Sequence, residues 1–418
     1  SGLPIQKDRT FIFGDYEGLR QSLGVTTVTT VPSDTARRGI LHDANGNLLG
    51  PDSNPASGPW AGPCPNPATQ TNLAPGQAGF CTDNSVVRFL AAFYPQPNGP
   101  LLGSGDTGIF SFADQQVTRE DYFTIRVDRK FSEKDTIFGT YMRDNSKTVQ
   151  PGTFDELLSN VVSRRQVVTF HEQHIFSSTF LNAARIGFSR AVATSGGLSK
   201  VSNALMLDPS YAFLPGALAG GIENVPGLTS FKGAPSVLGL LQSSQSIAWN
   251  SFQAGDDAFF TRGRHALKFG GLVERIQDNR LILATANGSF RFNSLFSFRT
   301  NQPQGFQGNL TTSPPRFGMR QTIFGAYIQD DVRLKPNLTV NAGLRYEMAT
   351  VPNEAHNRIA NLRNLTDAQP YVGSPFFLNP TLRNFEPRVG FAWNPGGGRT
   401  LFRGGFGIFD VLPLPYEF

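Results

Sequence analysis

A chain of 418 residues with 44 Gly, 36 Phe and 29 Pro, only 17% charged residues and just four Met is composed for strands and turns rather than helices. A formal net charge of +5 over this length, without any long Lys/Arg run, speaks against a nucleic-acid partner. No stretch of about eighteen consecutive apolar residues is present, which excludes a membrane-spanning helix but not membrane-spanning strands.

The chain opens on "SGLPIQKDRT", which has no initiator Met, basic n-region or apolar h-region. The expectation is that a signal has been removed or that the chain is an internal piece. Residues 31–117 then form a long connection rich in Pro, Gly, Ser and Asn. Cys64 and Cys81, the only cysteines, both lie in it. With no neighbouring His they do not make a metal site. A loop-stapling disulfide in an oxidising compartment is the expected arrangement, two unpaired thiols the alternative. Trp60, Phe80, Phe93 and Tyr94 give this connection an aromatic content suited to sugar or peptide, and are candidate ligand contacts. Packing of the loop on itself explains them equally well.

From residue 118 the pattern is a series of hairpins. Tight turns are predicted at Ser132–Asp135, Ser177–Thr179, Thr261–Arg264, Lys335–Asn337 and Asn394–Arg399, each using Gly, Pro, Asn or Ser. The arms between them run to about 10–15 residues, where an ordinary globular strand has about five or six. The other connections, 196–243, 298–315 and 351–384, are long and structureless in composition. Turn spacing has no fixed period, which argues against a propeller or solenoid. Short turns at one rim and long loops at the other mark an antiparallel transmembrane β-barrel of the outer-membrane type. The fold class expected is therefore all-β, with about 12–13 candidate strands, long extracellular loops and short periplasmic turns.

The arms alternate. In "YIQDDVRLKPNLTVNAGLRYEM", residues 327–348, one face carries Ile328, Val332, Val340, Ala342, Leu344, Tyr346 and Met348. The other carries Gln329, Asp331, Arg345 and Glu347. In a soluble sandwich the apolar face would point into a core; in a membrane barrel it meets lipid and the polar face lines the lumen. Arm length, aromatics near the arm ends (Phe123, Phe131, Tyr141, Phe324) and a polar face with both charge signs favour the barrel. Lumen-facing candidates are Arg126, Asp128, Lys268, Glu274, Gln329, Asp331, Arg345 and Glu347.

Several segments resemble the TonB-dependent receptors, specifically their Oar-like branch. These are "KDRTFIFGDYEGLRQ" (7–21), "TTVPSDTARRGIL" (29–41), "IFGAYIQDDVRLKPNLTVNAGLRYE" (323–347), "NFEPRVGFAWNP" (384–395) and "TLFRGGFGIF" (400–409). The resemblance implies a 22-stranded outer-membrane barrel closed by a plug, in a Gram-negative-type bacterium. It would take up or export a large or scarce substrate with energy delivered by the TonB complex. No plug or TonB box precedes Lys7, and the strand count is too low, so the expectation is an early-to-middle slice of such a barrel. Expected partners are outer-membrane lipid, TonB through the plug region and an extracellular substrate. The alternative is a surface or secreted β-sheet binding module for carbohydrate or peptide.

No catalytic constellation and no cofactor is expected. "HEQH" (171–174) has its histidines three apart on a strand, hence on opposite faces, unlike the i, i+4 pair of a helical zinc motif. Asp256–Asp257 and Asp330–Asp331 likewise diverge, so one member of each pair is expected in a lumen charge network or near a rim. "NPGGGRTLFRGG" lacks the Lys-Ser/Thr of a phosphate loop and reads as a hairpin turn.

Overall fold

The computed structural model describes residues 2–37, 40–43, 45–48, 84–155, 157–199, 205, 208–214, 218–219, 222–223, 228–231, 234–237, 245–283, 285, 287–299, 301–309, 315–373, 382–396 and 399–412. Its main element is a 14-stranded antiparallel sheet, in which twelve strands pair in chain order and two short ones are appended. The twelve are β1 (Gly2–Gln6), β2 (Thr10–Pro32), β3 (Thr107–Lys130), β4 (Asp135–Pro151), β5 (Leu157–Ser177) and β6 (Phe180–Ser199), then β7 (Gln245–Arg262), β8 (His265–Ile282), β9 (Arg316–Lys335), β10 (Leu338–Ala349), β11 (Phe385–Trp393) and β12 (Phe402–Gly407). Each of the five predicted tight turns joins two of these strands. A sixth, at Lys7–Arg9, carries Asp8 at φ 60° and was not anticipated. At the turn between β7 and β8, Gly263 takes φ 63°, a conformation open to glycine at no steric cost.

From β2 to β9 the strands are longer than the expected 10–15 residues, with 23 in β2 and 24 in β3, whereas β10 has 12, β11 nine and β12 six. About ten tilted residues cross a bilayer's hydrocarbon. The remainder projects on the long-loop side, and this shortens the predicted connections. The 31–117 segment gives up Thr107–Val117 to β3, and 196–243 gives up residues 196–199 to β6.

Nor are the connections structureless. The segment Asn84–Phe93 is a helix, because Val86, Phe89, Leu90 and Phe93 recur at i, i+3, i+4 and i+7 and make one apolar face. That face is buried in the main hydrophobic cluster, together with Val31 at the end of β2, Phe154 before β5, Phe231, Phe292 and Phe298. Phe298 stacks on Phe231 at 5.1 Å and meets Phe292 edge-on at 5.0 Å. A short parallel pairing, Leu228–Phe231 on Ser289–Phe292, ties two of the long connections together. Arg37 donates to the carbonyls of Leu90 (3.2 Å) and Tyr94 (3.0 Å), which ties the C-terminal end of the helix to the segment that follows β2. The largest buried cluster thus lies among the long connections, above the sheet's loop-side edge.

A buried carboxylate organises one of these connections. Glu354 accepts hydrogen bonds from the backbone N–H of Gly318 (2.9 Å), His356 (2.8 Å) and Arg358 (2.7 Å). Burial opposes its ionisation, but these donors outweigh burial and hold its pKa below the ordinary 4.5. A depressed native pKa contributes stability above the unfolded value, and that contribution is lost as pH falls through the native one. Proteolysis within residues 350–373 is therefore expected to accelerate as pH drops below 4.5. Glu354→Gln should show the fast rate already at neutral pH. Cleavage that does not change with pH in the native chain would exclude this role.

Candidate functional site: the two faces of the sheet

Strand pairing sorts every side chain of the sheet onto one of two faces, because directly paired residues share a side. One row runs Ile12, Val127, Gly139, Phe170, Ile186, Ala254, Val273, Phe324 and Met348 through successive pairs from β2 to β10. It is apolar throughout, and Phe170 and Ile186 are more than half exposed. Toward the long loops this band ends at a polar row: Arg143, Gln166, Arg190, Asn250, Gln277 and Arg320. Aromatic pairs border it. Near the loops these are Phe123–Tyr141, Phe188–Phe252 and Tyr346–Phe385; near the short turns, Phe176–Phe180, Phe180–Phe260 and Trp393–Phe402. An apolar band between two aromatic girdles has the dimensions and chemistry of a bilayer-facing surface.

The opposite face is polar. All eight predicted lumen candidates lie on it, as the pairing shows. The row through Arg126 continues as Thr140, Thr169, Gly187, Gln253 and Glu274. Lys268 pairs with Gln329, and Glu347 with Gly325. The structure adds their partners. Arg126 Nε donates to Asp128 at 2.7 Å, and its guanidinium lies 3.9 Å from the Phe138 ring centroid. Phe138 in turn stacks on His171 at 4.5 Å. Glu274 accepts from Ser251 (2.6 Å) and Gln253 (3.1 Å); Asp331 accepts from Gln329 and Asn341, both at 3.1 Å. Arg345 pairs with Glu347, and Lys268 Nζ sits 4.9 Å from the Phe259 ring centroid.

A further cluster on this face centres on Asp257, one member of a doublet expected in a charge network, and adds Arg185 and Tyr327, which were not among the predicted residues. Asp257 receives the Tyr327 hydroxyl proton at 2.5 Å and a charge-assisted bond from Arg185 at 2.5 Å. It brings together β6, β7 and β9. Gly270, paired with Tyr327, leaves the space that the Asp257 carboxylate and the tyrosine ring occupy. The Asp-Asp doublets divide as alternation requires. Asp257 and Asp331 lie on the polar face, while Asp256 and Asp330 lie on the other, with Asn182 (2.8 Å) and His265 (2.6 Å).

The loop candidates fare differently. Phe93 (8% exposed) and Tyr94 (4% exposed) are packed inside the cluster above the sheet, with the Tyr94 hydroxyl 3.1 Å from Thr229 Oγ1. Their helix-and-strand packing removes them from the solvent side, so the expectation of ligand contact is corrected for these two. Trp60, Phe80, Cys64 and Cys81 lie outside the described residues.

A family model described as "Outer membrane beta barrel domain" matches residues 1–415. The chain belongs to this outer-membrane β-barrel family. Its location is the outer membrane. Among solved structures it is similar to the outer membrane transporter YddB of Escherichia coli, with 11% identity over 75% of this chain and 34% of that one and a TM-score of 0.42. It is also similar to the copper transporter OprC (11%, 72% and 38%, TM-score 0.43) and to the alcaligin outer-membrane receptor FauA of Bordetella pertussis (11%, 71% and 37%, TM-score 0.37). The barrel chain spans about a third of the length of these proteins. No curated protein matches it.

Proposed function

We propose that this chain is part of the barrel wall of an energised outer-membrane transporter of the TonB-dependent, Oar-like kind. Its polar face lines a lumen through which a large or scarce substrate moves. The observation that carries the reading is the continuous polar row from Arg126 to Glu274, joined to the Asp257–Arg185–Tyr327 cluster, set back to back with an apolar band. Such a wall has no reaction to perform; it holds fixed charge of both signs along a passage. The long connections, packed around Phe298, form the extracellular entrance and the place where substrate is first met. Energy reaches the lumen through a plug that contacts TonB on the short-turn side. A secreted binding module would have to leave the whole apolar band in water, so the band counts against that alternative.

Orientation is directly testable in cells carrying the gene, with both native cysteines replaced. Leu365, fully exposed in a long connection, and Glu133, in a short turn, are each changed to cysteine. A membrane-impermeant maleimide should label Leu365→Cys on intact cells, and Glu133→Cys only after the outer membrane is permeabilised. The reverse pattern would overturn the orientation. Uptake that is unchanged when TonB is inactivated would overturn the energised mechanism.

A further inference from the structure

We propose that Asp135, Glu172 and His174 form a divalent metal site of the zinc type on the lipid-side face of the sheet, at its short-turn rim. The inference is independent of the transport reading. Asp135 is the first residue of β4 and pairs directly with His174 of β5. Glu172 lies two residues before His174, so the strand period of two puts it on the same face. One ligand atom from each residue lies within 4.8 Å of the others. His174 Nδ1 already meets Asp135 Oδ1.

Two features make this more than a chance gathering of polar groups. The first is that the site is braced. Ser132 Oγ donates to the second Asp135 oxygen at 2.5 Å, and the N–H groups of Lys134 and Asp135 donate back to Ser132 Oγ at 3.0 and 3.1 Å. The His174 ring is held against Phe176, with centroids 4.3 Å apart. Partners of this kind orient metal ligands. The second is the Glu172 carboxylate, which makes no hydrogen bond or ion pair among the described residues, although it stands where the aromatic girdle marks the membrane interface. A cation bridging it to Asp135 and His174 would neutralise charge that is costly at that depth.

The chemistry matches. One imidazole nitrogen and two carboxylates are a zinc donor set with room for water in the fourth position. Metal–ligand lengths of about 2.0–2.2 Å place ligand atoms about 3–4 Å apart, a small side-chain adjustment from the observed arrangement. His174 and Asp135 remain about a third exposed, at 33% and 39% of their side chains, so an ion can enter. The rim also contains its own control. His265 and Asp330 make the same kind of pair on the same face at 2.6 Å, but among the described residues no third ligand joins them.

The test uses the full chain, without a histidine tag, folded in detergent micelles. Zn²⁺ is titrated by calorimetry and Co²⁺ is followed by its visible absorption. One Zn²⁺ per chain is expected. His174→Ala, Asp135→Asn and Glu172→Gln should each weaken binding at least about tenfold, while His265→Ala and His171→Ala should leave it unchanged. Retention of heat-modifiable electrophoretic mobility shows that each variant is folded. Absence of Zn²⁺ binding by the native chain would overturn the site. So would native affinity in folded His174→Ala, or an equal loss in His265→Ala.

Discussion

A lysine in place of Leu344 is expected to cost about 2–4 kcal/mol of folding free energy in lipid vesicles, whereas the same lysine at Asn341 should cost little. Leu344 is 42% exposed on β10 and pairs with Ile328 and Pro387 on the apolar face. It sits mid-strand, within the band bounded by the two girdles. An ammonium there must stay in hydrocarbon, thin the bilayer locally or bend toward the interface, and each option costs free energy. Asn341 is three residues away on the opposite face, where its amide donates to Asp331 at 3.1 Å. A lysine at that position gains a carboxylate neighbour and stays in water. Urea titration of vesicle-folded protein, with the folded fraction read from heat-modifiable mobility, measures both. Equal losses at the two positions would mean that the faces are assigned the wrong way round.

The second large effect is expected in the connections. Phe298 is 1% exposed and touches Phe231, Phe292 and Tyr94 at 5.1, 5.0 and 6.0 Å between centroids. Truncating such a ring to alanine removes about 3–5 kcal/mol from the unit it belongs to. That unit is the cluster above the sheet. Phe298→Ala should therefore raise amide exchange in the Asn84–Phe93 helix and in Leu228–Phe231 while leaving β3 to β10 protected. Loss of protection across the whole sheet would show instead that cluster and sheet unfold as one body.

Much of the sheet was legible because its signals are local. The five tight turns were readable from residues such as Pro336 and Gly263, and the alternation of arms such as Val340 to Met348 is a period-two pattern that needs no partner. Lys268 and Gln329, predicted independently, prove to be direct neighbours across β8 and β9. The helix at Asn84–Phe93 was masked by its Pro- and Gly-rich surroundings, although its four apolar positions carry the 3.6 period. Arg185, Asp257 and Tyr327 come from three strands and carry no common spacing. The same holds for Asp135 beside His174: a histidine motif read along one strand cannot disclose a ligand delivered by the next.

By itself, then, the sequence determined the strand period, the positions of the short turns and the segregation of polar from apolar faces, since each depends on residues close along the chain. Only the tertiary structure decided which charged groups meet, where the buried aromatic cluster sits, and that Phe93 and Tyr94 are core rather than surface. Those outcomes follow from strand register and from contacts between connections more than a hundred residues apart, such as Tyr94 with Thr229.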